Sequence, residues 1–409
     1  MRGSQARPSC RVQRVRVFVP RECADGETRV AATPETVKSM VKAGLEVSIE
    51  PGAGSEAFFL DAAYEQAGAT LVKDAAAAFG EADVVLKVAP PQVRPDGALD
   101  EAQAVKEGAL VIGLLAPYQS RALGETLAAR NVSSIAMELV PRITRAQKMD
   151  ALSSQANIAG YKAVLLAASH LPKYFPLLMT AAGTIKPARV VVMGAGVAGL
   201  QAIATAKRLG AIVEASDIRA AVKEQVESLG GKLIPLPESK ESGEGAGGYA
   251  REMSPEFLRE QQRIVKTHLV QADVVITTAL IPGKRAPNLV PAGVVAEMKP
   301  GAVIVDLAVA QGGNCELSEL GRDVRKHGVL IIGHPNLPAT VPGDASLVYA
   351  RNVWALVDHL LGKERKLSVD ASDEVVGPCL FTHDGKVAHK ASADAWAMAS
   401  AADTRVAAS

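Results

Sequence analysis

A chain of 409 residues with 48% apolar and 22% charged side chains has material for two globular units, each with its own core. A formal net charge of +1 and an aromatic content of 4% exclude a nucleic-acid surface built on a basic field or on stacking rings. No apolar run reaches the ~20 residues a membrane-spanning helix needs, and the four cysteines (Cys10, Cys23, Cys315, Cys379) lack metal or redox spacing, as suits a reducing compartment.

Residues 1–14 carry Arg2, Arg7, Arg11 and Arg14 and no acid. Without amphipathic periodicity they read as a disordered extension rather than a transit peptide. From Val15 strands and helices alternate. Residues 15–19, 45–49, 83–88, 110–115 and 133–137 read as strands, and 34–43, 62–67 and 74–79 as helices. Thr33 and Pro34 read as a cap and first helical turn, and Lys87 as a strand end facing a cleft. This first α/β unit has no glycine fingerprint.

The segment 138–154 concentrates Arg142, Arg145, Gln147, Asp150 and Ser153 ahead of a helix spanning 153–169, which reads as an inter-domain helix. Such a polar set beside a cleft can grip a carboxamide, a ribose or a phosphate. Alternatively, Asp150 caps the following helix.

Next comes Arg189-Val-Val-Val-Met-Gly-Ala-Gly-Val-Ala-Gly-Leu200. An apolar strand, then Gly194, Ala195, Gly196, Val197, Ala198 and Gly199 as G-x-G-x-x-G, then a helix, form the strand–turn–helix context of a dinucleotide fingerprint. The first glycine permits a tight turn, the second lets backbone approach a pyrophosphate, and the third allows close helix–strand packing. Residues 211–217 form a second strand ending on Asp217, 23 residues after Gly194. A carboxylate at that offset accepts from the adenosine ribose and repels a 2′-phosphate, so it favours NAD over NADP, although Arg219 argues the other way. This half of the chain is read as binding NAD(H).

Residues 238–254, rich in glycine and charge, form a surface loop, either a passive linker or a lid touching its ligand through Tyr249 and Met253. Strands follow at 273–277, 302–306 and 329–332, with Thr277-Thr-Ala-Leu-Ile-Pro-Gly283 at the carboxyl edge where ligands of open α/β sheets bind. Asp344 can cap a long helix that crosses back to the first unit. Weak strand signals around 375–388 precede an Ala/Ser-rich tail.

The fold class is therefore α/β, with two doubly wound Rossmann-like domains, a cleft between them, and the first domain discontinuous. The domains run 15–152 plus 344–390 and 153–343, with 391–409 a loose tail. The seven histidines are isolated, and neither a Ser/His/Asp set, a metal cluster nor a paired acid catalyst stands out. The pattern suits hydride transfer without an acid–base group.

Glu27-Thr-Arg-Val-Ala-Ala-Thr-Pro34, Val85-Leu-Lys-Val-Ala-Pro-Pro91, the fingerprint, Thr277–Gly283 and Val305-Asp-Leu-Ala-Val-Ala-Gln-Gly-Gly-Asn314 occur in order. Across residues 15–390 the chain resembles the alanine dehydrogenase and transhydrogenase superfamily, and within it the NAD(H)-binding components of proton-translocating NAD(P) transhydrogenases. The resemblance implies that Arg142, Gln147, Asp150 and Ser153 position the nicotinamide end of NAD(H). It implies that Asp217 and Ile218 hold the adenosine side and that Thr278, Ala279 and Leu280 line the site. Gly248, Tyr249 and Met253 would belong to the closing lid.

Alanine dehydrogenases carry a histidine in the segment matching Gly113-Leu-Leu-Ala-Pro117 and an aspartate where Ala310 stands; this chain has neither. The resemblance implies hydride transfer to NADP(H) on a partner subunit, with proton translocation left to separate membrane subunits. It also implies a homodimer in the cytoplasm, peripheral on the cytoplasmic face of the inner membrane. A self-contained alanine-dehydrogenase-like oxidoreductase and a non-catalytic NAD(H) sensor are the competing readings.

Overall fold

The run Val190-Val-Val-Met193 is apolar at every position because both faces of its strand are covered. Val190 and Val192 join one buried cluster with Ile203 and Val213, whereas Val191 and Met193 join another with Val275 and Ile304. That double burial is the rule for parallel sheets flanked by helices.

The computed structural model describes residues 14–236, 254–281 and 283–407. Its strands in chain order are β1 (Arg16–Val19), β2 (Glu46–Ile49), β3 (Thr70–Leu71), β4 (Val84–Leu86), β5 (Leu110–Gly113) and β6 (Ser133–Ala136). Then come β7 (Leu178–Thr180), β8 (Gly183–Ile185), β9 (Arg189–Met193), β10 (Ile212–Ser216), β11 (Lys232–Leu233) and β12 (Val274–Thr277). The series closes with β13 (Val303–Asp306), β14 (Asp323–Lys326), β15 (Val329–Ile332), β16 (Leu380–His383) and β17 (Lys386–Val387). The chain divides into Met1–Met149 with Tyr349–Ser409, here unit 1, and Asp150–Val348, unit 2.

Unit 1 holds an eight-stranded sheet ordered β17-β16-β6-β5-β4-β1-β2-β3. β1 to β6 run parallel, and β16 and β17 add an antiparallel edge. Phe18, Val85 and Val111 pack on Phe79 and Leu127, with the Phe18 and Phe79 rings edge to face at 5.1 Å.

Unit 2 holds a seven-stranded sheet ordered β11-β10-β9-β12-β13-β15-β14, parallel except for β14, and a separate β7–β8 hairpin. The order leaves β9 in both directions, towards β10 and towards β12, which makes the end of β9 a topological switch point. The helix Ala151–His170 belongs to unit 2. It packs on the helix Val197–Arg208 so closely that a Cβ at Gly160 would lie 2.0 Å from the Ala198 carbonyl oxygen.

Two expectations need correction. The Ala/Ser-rich tail is not loose: it forms the helix Lys390–Ala407, because alanine is the strongest helix former and Trp396 anchors it. The Trp396 ring packs edge to face on Phe381, and its indole N–H donates to the Tyr118 carbonyl at 2.8 Å. Asp344 is not a cap, since the helix Pro342–Leu361 already begins two residues earlier with a proline that suits a first turn.

Candidate functional site

The glycine turn follows β9 at the switch point. Gly194 has φ +98°, and a Cβ there would fall 2.7 Å from Thr278 Oγ1. A Cβ on Gly199 would lie 1.9 Å from the Gly194 carbonyl oxygen, so the turn and the first helical turn touch through backbone alone. At Gly196 the nearest atom to a Cβ is a guanidinium nitrogen of Arg219 at 4.0 Å, leaving the backbone open on that side. The helix Val197–Arg208 starts there, and its first N–H groups have no intrahelical acceptor. An open, N–H-lined helix start fits a pyrophosphate.

Asp217 stands just past β10 and is 9% exposed. Its carboxylate accepts the Ala195 N–H at 2.7 Å, which ties it to the glycine turn, and it is ion-paired with Arg219 at 2.7 Å. Ile218 beside it is half-buried. On the other flank, the Thr278 hydroxyl donates to the Gly194 carbonyl at 2.9 Å, with Ala279 half-buried and Leu280 exposed. Residues 194–199, 217–218 and 278–280 therefore meet at one sheet edge of unit 2.

The 142–153 segment is divided by the unit boundary. Asp150 caps the helix Ala151–His170: it accepts the Ser153 N–H at 2.8 Å and the Ser153 hydroxyl at 2.6 Å. The capping alternative is thus realised. In unit 1, Gln147 and Arg142 are exposed, and Gln147 sits in a 3-10 stretch, Thr144–Met149, anchored by buried Ala146 and Met149. Arg145 is ion-paired with Glu374, and the Asn352 amide donates to the Lys148 carbonyl at 2.8 Å. Gly248, Tyr249 and Met253, with the rest of residues 238–253, lie outside the described residues, as do residues 1–13.

Lys87 does not face a cleft. It is fully buried, with its ammonium 2.7 Å from Glu101 and 3.2 Å from Glu22. Burial alone would lower the Lys87 pKa, but the two carboxylates outweigh it and hold it above the ordinary lysine value. Arg29 is likewise chelated by Glu27, at 2.7 and 2.6 Å. Both of these cations are satisfied internally, and Glu22 and Glu101 lie on segments far from Lys87 in the chain, so nothing in the sequence paired them with it. Among the described residues there is no group of three or more His, Cys, Asp or Glu able to hold a metal, and no helix long and apolar enough to cross a membrane.

Residues 18–159 match the alanine dehydrogenase/PNT N-terminal domain and residues 163–390 the alanine dehydrogenase/PNT C-terminal domain. The chain belongs to the alanine dehydrogenase/PNT family. It is 51% identical over 379 residues to an NAD(P) transhydrogenase subunit alpha chain of Rhodospirillum rubrum, covering 92% of this chain and 98% of that one. Alanine dehydrogenase of Mycobacterium tuberculosis is 33% identical over 379 residues, covering 91% and 94%. Among solved structures, a transhydrogenase from Sinorhizobium meliloti matches with a TM-score of 0.81 and 43% identity over 91% of this chain and 99% of that one. An L-alanine dehydrogenase matches with a TM-score of 0.77 and 29% identity, over 93% and 99%.

Proposed function

We propose that this chain is the NAD(H)-binding subunit of a proton-translocating NAD(P) transhydrogenase, active only with partner subunits. The observation that carries the reading is the 51% identity to a transhydrogenase alpha subunit over 92% of the chain, joined to a glycine turn that ends against Asp217. On this reading the partners are a second copy of the chain, an NADP(H)-binding subunit and membrane-embedded subunits that move the proton. The chain would act at the cytoplasmic face of the inner membrane.

NADH, when bound, supplies a hydride from its nicotinamide ring to NADP⁺ on the partner. Transfer between two nicotinamides needs no protein acid or base, only ring carbons held ~3–3.5 Å apart with water excluded. The residues of this chain are accordingly assigned to binding and orientation. The 194–199 turn would hold the pyrophosphate, Asp217 and Ile218 the adenosine side, and residues 278–280 the opposite wall. Arg142, Gln147, Asp150 and Ser153 would orient the nicotinamide end, and Gly248, Tyr249 and Met253 would close over it.

The alanine-dehydrogenase reading is disfavoured by Arg29 and Lys87. An oxoacid would need free cations to grip its carboxylate, and both are already neutralised by Glu27, Glu22 and Glu101. Hydride transfer from NADH to an NADP⁺ analogue, by the chain alone and with membranes supplying the NADP-binding subunit, tests the choice. Activity only with the membranes supports the half-enzyme. No transfer in either case, alongside NADH oxidation with pyruvate and ammonia, would return the chain to the dehydrogenases.

A further inference from the structure

A buried polar hub joins the ends of β12 and β13. Asp306, the last residue of β13, is 0% exposed. It accepts from the Thr277 hydroxyl at 2.9 Å, Ala308 N–H at 3.0 Å, Asn314 N–H at 3.3 Å, Cys315 N–H at 3.0 Å and the Ser318 hydroxyl at 2.7 Å. The chain after β13 is thereby folded back on itself. The bend passes so close that a Cβ at Gly313, where φ is +77°, would fall 2.8 Å from Asp306 Oδ2.

The fold-back delivers Asn314, also 0% exposed, to the loop after β12. Its Oδ1 accepts the Ala279 N–H at 3.0 Å, while Nδ2 donates to the Ala279 carbonyl at 2.9 Å and the Pro287 carbonyl at 2.8 Å. Reversing the amide would set donor against donor and acceptor against acceptor, so its partners fix its orientation. The side chain pairs with both backbone groups of Ala279 as a neighbouring strand would, continuing the sheet's bonding two residues beyond β12. Thr278, immediately before, is held to β9 through its N–H on the Met193 carbonyl at 2.8 Å and its hydroxyl on the Gly194 carbonyl at 2.9 Å.

A dinucleotide whose pyrophosphate lies on the 194–199 turn straddles the switch point. One half extends over β10, where Asp217 stands, and the other over β12, where residues 278–280 stand. We infer that Asn314 is a positioning residue that, by clamping Ala279, holds the wall against which the non-adenosine half of the dinucleotide lies. The inference rests on the nucleotide site proposed above. Asn314 is too deeply buried to touch ligand itself; it acts through Ala279 and Thr278.

The full-length chain and its Asn314→Ala and Asn314→Asp variants should be titrated with NADH by its fluorescence and with AMP by calorimetry, with thermal melts alongside. AMP reports only the adenosine half. Asn314→Ala removes three hydrogen bonds, and NADH affinity should fall ~10-fold or more while AMP affinity stays within ~2-fold. Asn314→Asp keeps the size and the acceptor for Ala279 but sets a carboxylate oxygen against two carbonyls. It should shift the NADH-to-AMP ratio in the same direction, and it serves if truncation unfolds the chain. Equal loss of both ligands, or loss of neither, would overturn the positioning role. A wild-type chain that binds neither ligand would instead overturn the nucleotide site itself.

Discussion

Asp217 and Arg219 form a chelated pair at the end of β10. Asp217 Oδ1 accepts the Arg219 backbone N–H and Nε, both at 2.9 Å, and Oδ2 accepts a terminal guanidinium N–H at 2.7 Å. Oδ2 also accepts the Ala195 N–H from the glycine turn. The Arg219 guanidinium, which could argue for a 2′-phosphate, is thus turned onto the carboxylate that argues against it. Asp217→Asn should weaken NADH binding and raise the NADPH-to-NADH affinity ratio ~10-fold or more, since charge-assisted bonds are lost and the repulsion of a 2′-phosphate disappears. Titration of both nucleotides checks this, and an unchanged ratio would remove Asp217 from discrimination.

Two close backbone approaches fix the helix Val197–Arg208: Gly199 against the Gly194 carbonyl and Gly160 against the Ala198 carbonyl. Gly199→Val cannot be accommodated without opening the turn, so NADH binding should be abolished. Gly160→Ala overpacks a helix contact and should cost ~1–3 kcal/mol of stability, with a smaller effect on binding. Denaturant melts beside fluorescence titrations would separate the two.

Asp150 serves a cap whatever else it does, and the two roles can be separated. Asparagine caps as well as aspartate, so Asp150→Asn should leave the helix and NADH affinity within a few fold. Hydride transfer with the partner subunits should nevertheless fall strongly, because the charge is gone. Asp150→Ala should in addition lose ~1 kcal/mol of stability. If Asp150→Asn transfers hydride at the wild-type rate, the residue is only a cap.

Lys87 neutralises Glu22 and Glu101 where none of the three meets water, each side chain being at most 3% exposed. Lys87→Met fills the space but leaves buried Glu22 without its cation and Glu101 with Arg94 alone, 3.3 Å away. It should destabilise the chain by ~3–5 kcal/mol, read by urea unfolding at neutral pH. A stability loss below ~1 kcal/mol would mean the acids find other compensation.

Burial pushes the Glu138 carboxyl up to about 7, against which the Leu115, Ala116 and its own backbone N–H groups pull down. A raised acid favours the folded state while protonated. Its contribution is full below the unfolded value near 4.5, and is lost as pH rises through about 7. That difference corresponds to ~3 kcal/mol. Stability should therefore fall between pH 4.5 and 7 more steeply in the wild type than in Glu138→Gln, which cannot ionise. Parallel slopes in urea melts across that range would show that Glu138 titrates normally.

What the sequence determined by itself is what lies in short, contiguous patterns. Apolar runs such as Val190 to Met193 announce strands buried on both faces, and Gly194, Gly196 and Gly199 announce the turn, because backbone sterics there depend on neighbours in the chain. Two-residue strands such as β3 and β11 are too short for any periodicity, and the Lys390–Ala407 helix was hidden by an Ala/Ser composition whose anchor, Trp396, finds Phe381 only in the fold. Tertiary structure alone decided the partnerships: Lys87 with Glu22 and Glu101, Gly160 with Ala198, Asn314 with Ala279. A buried polar or charged group is stable only if satisfied, but the residue that satisfies it is chosen by which strand ends the sheet order brings together. Asn314 reads in sequence as the end of a glycine motif; only the return of the chain over Asp306 gives it a site to hold.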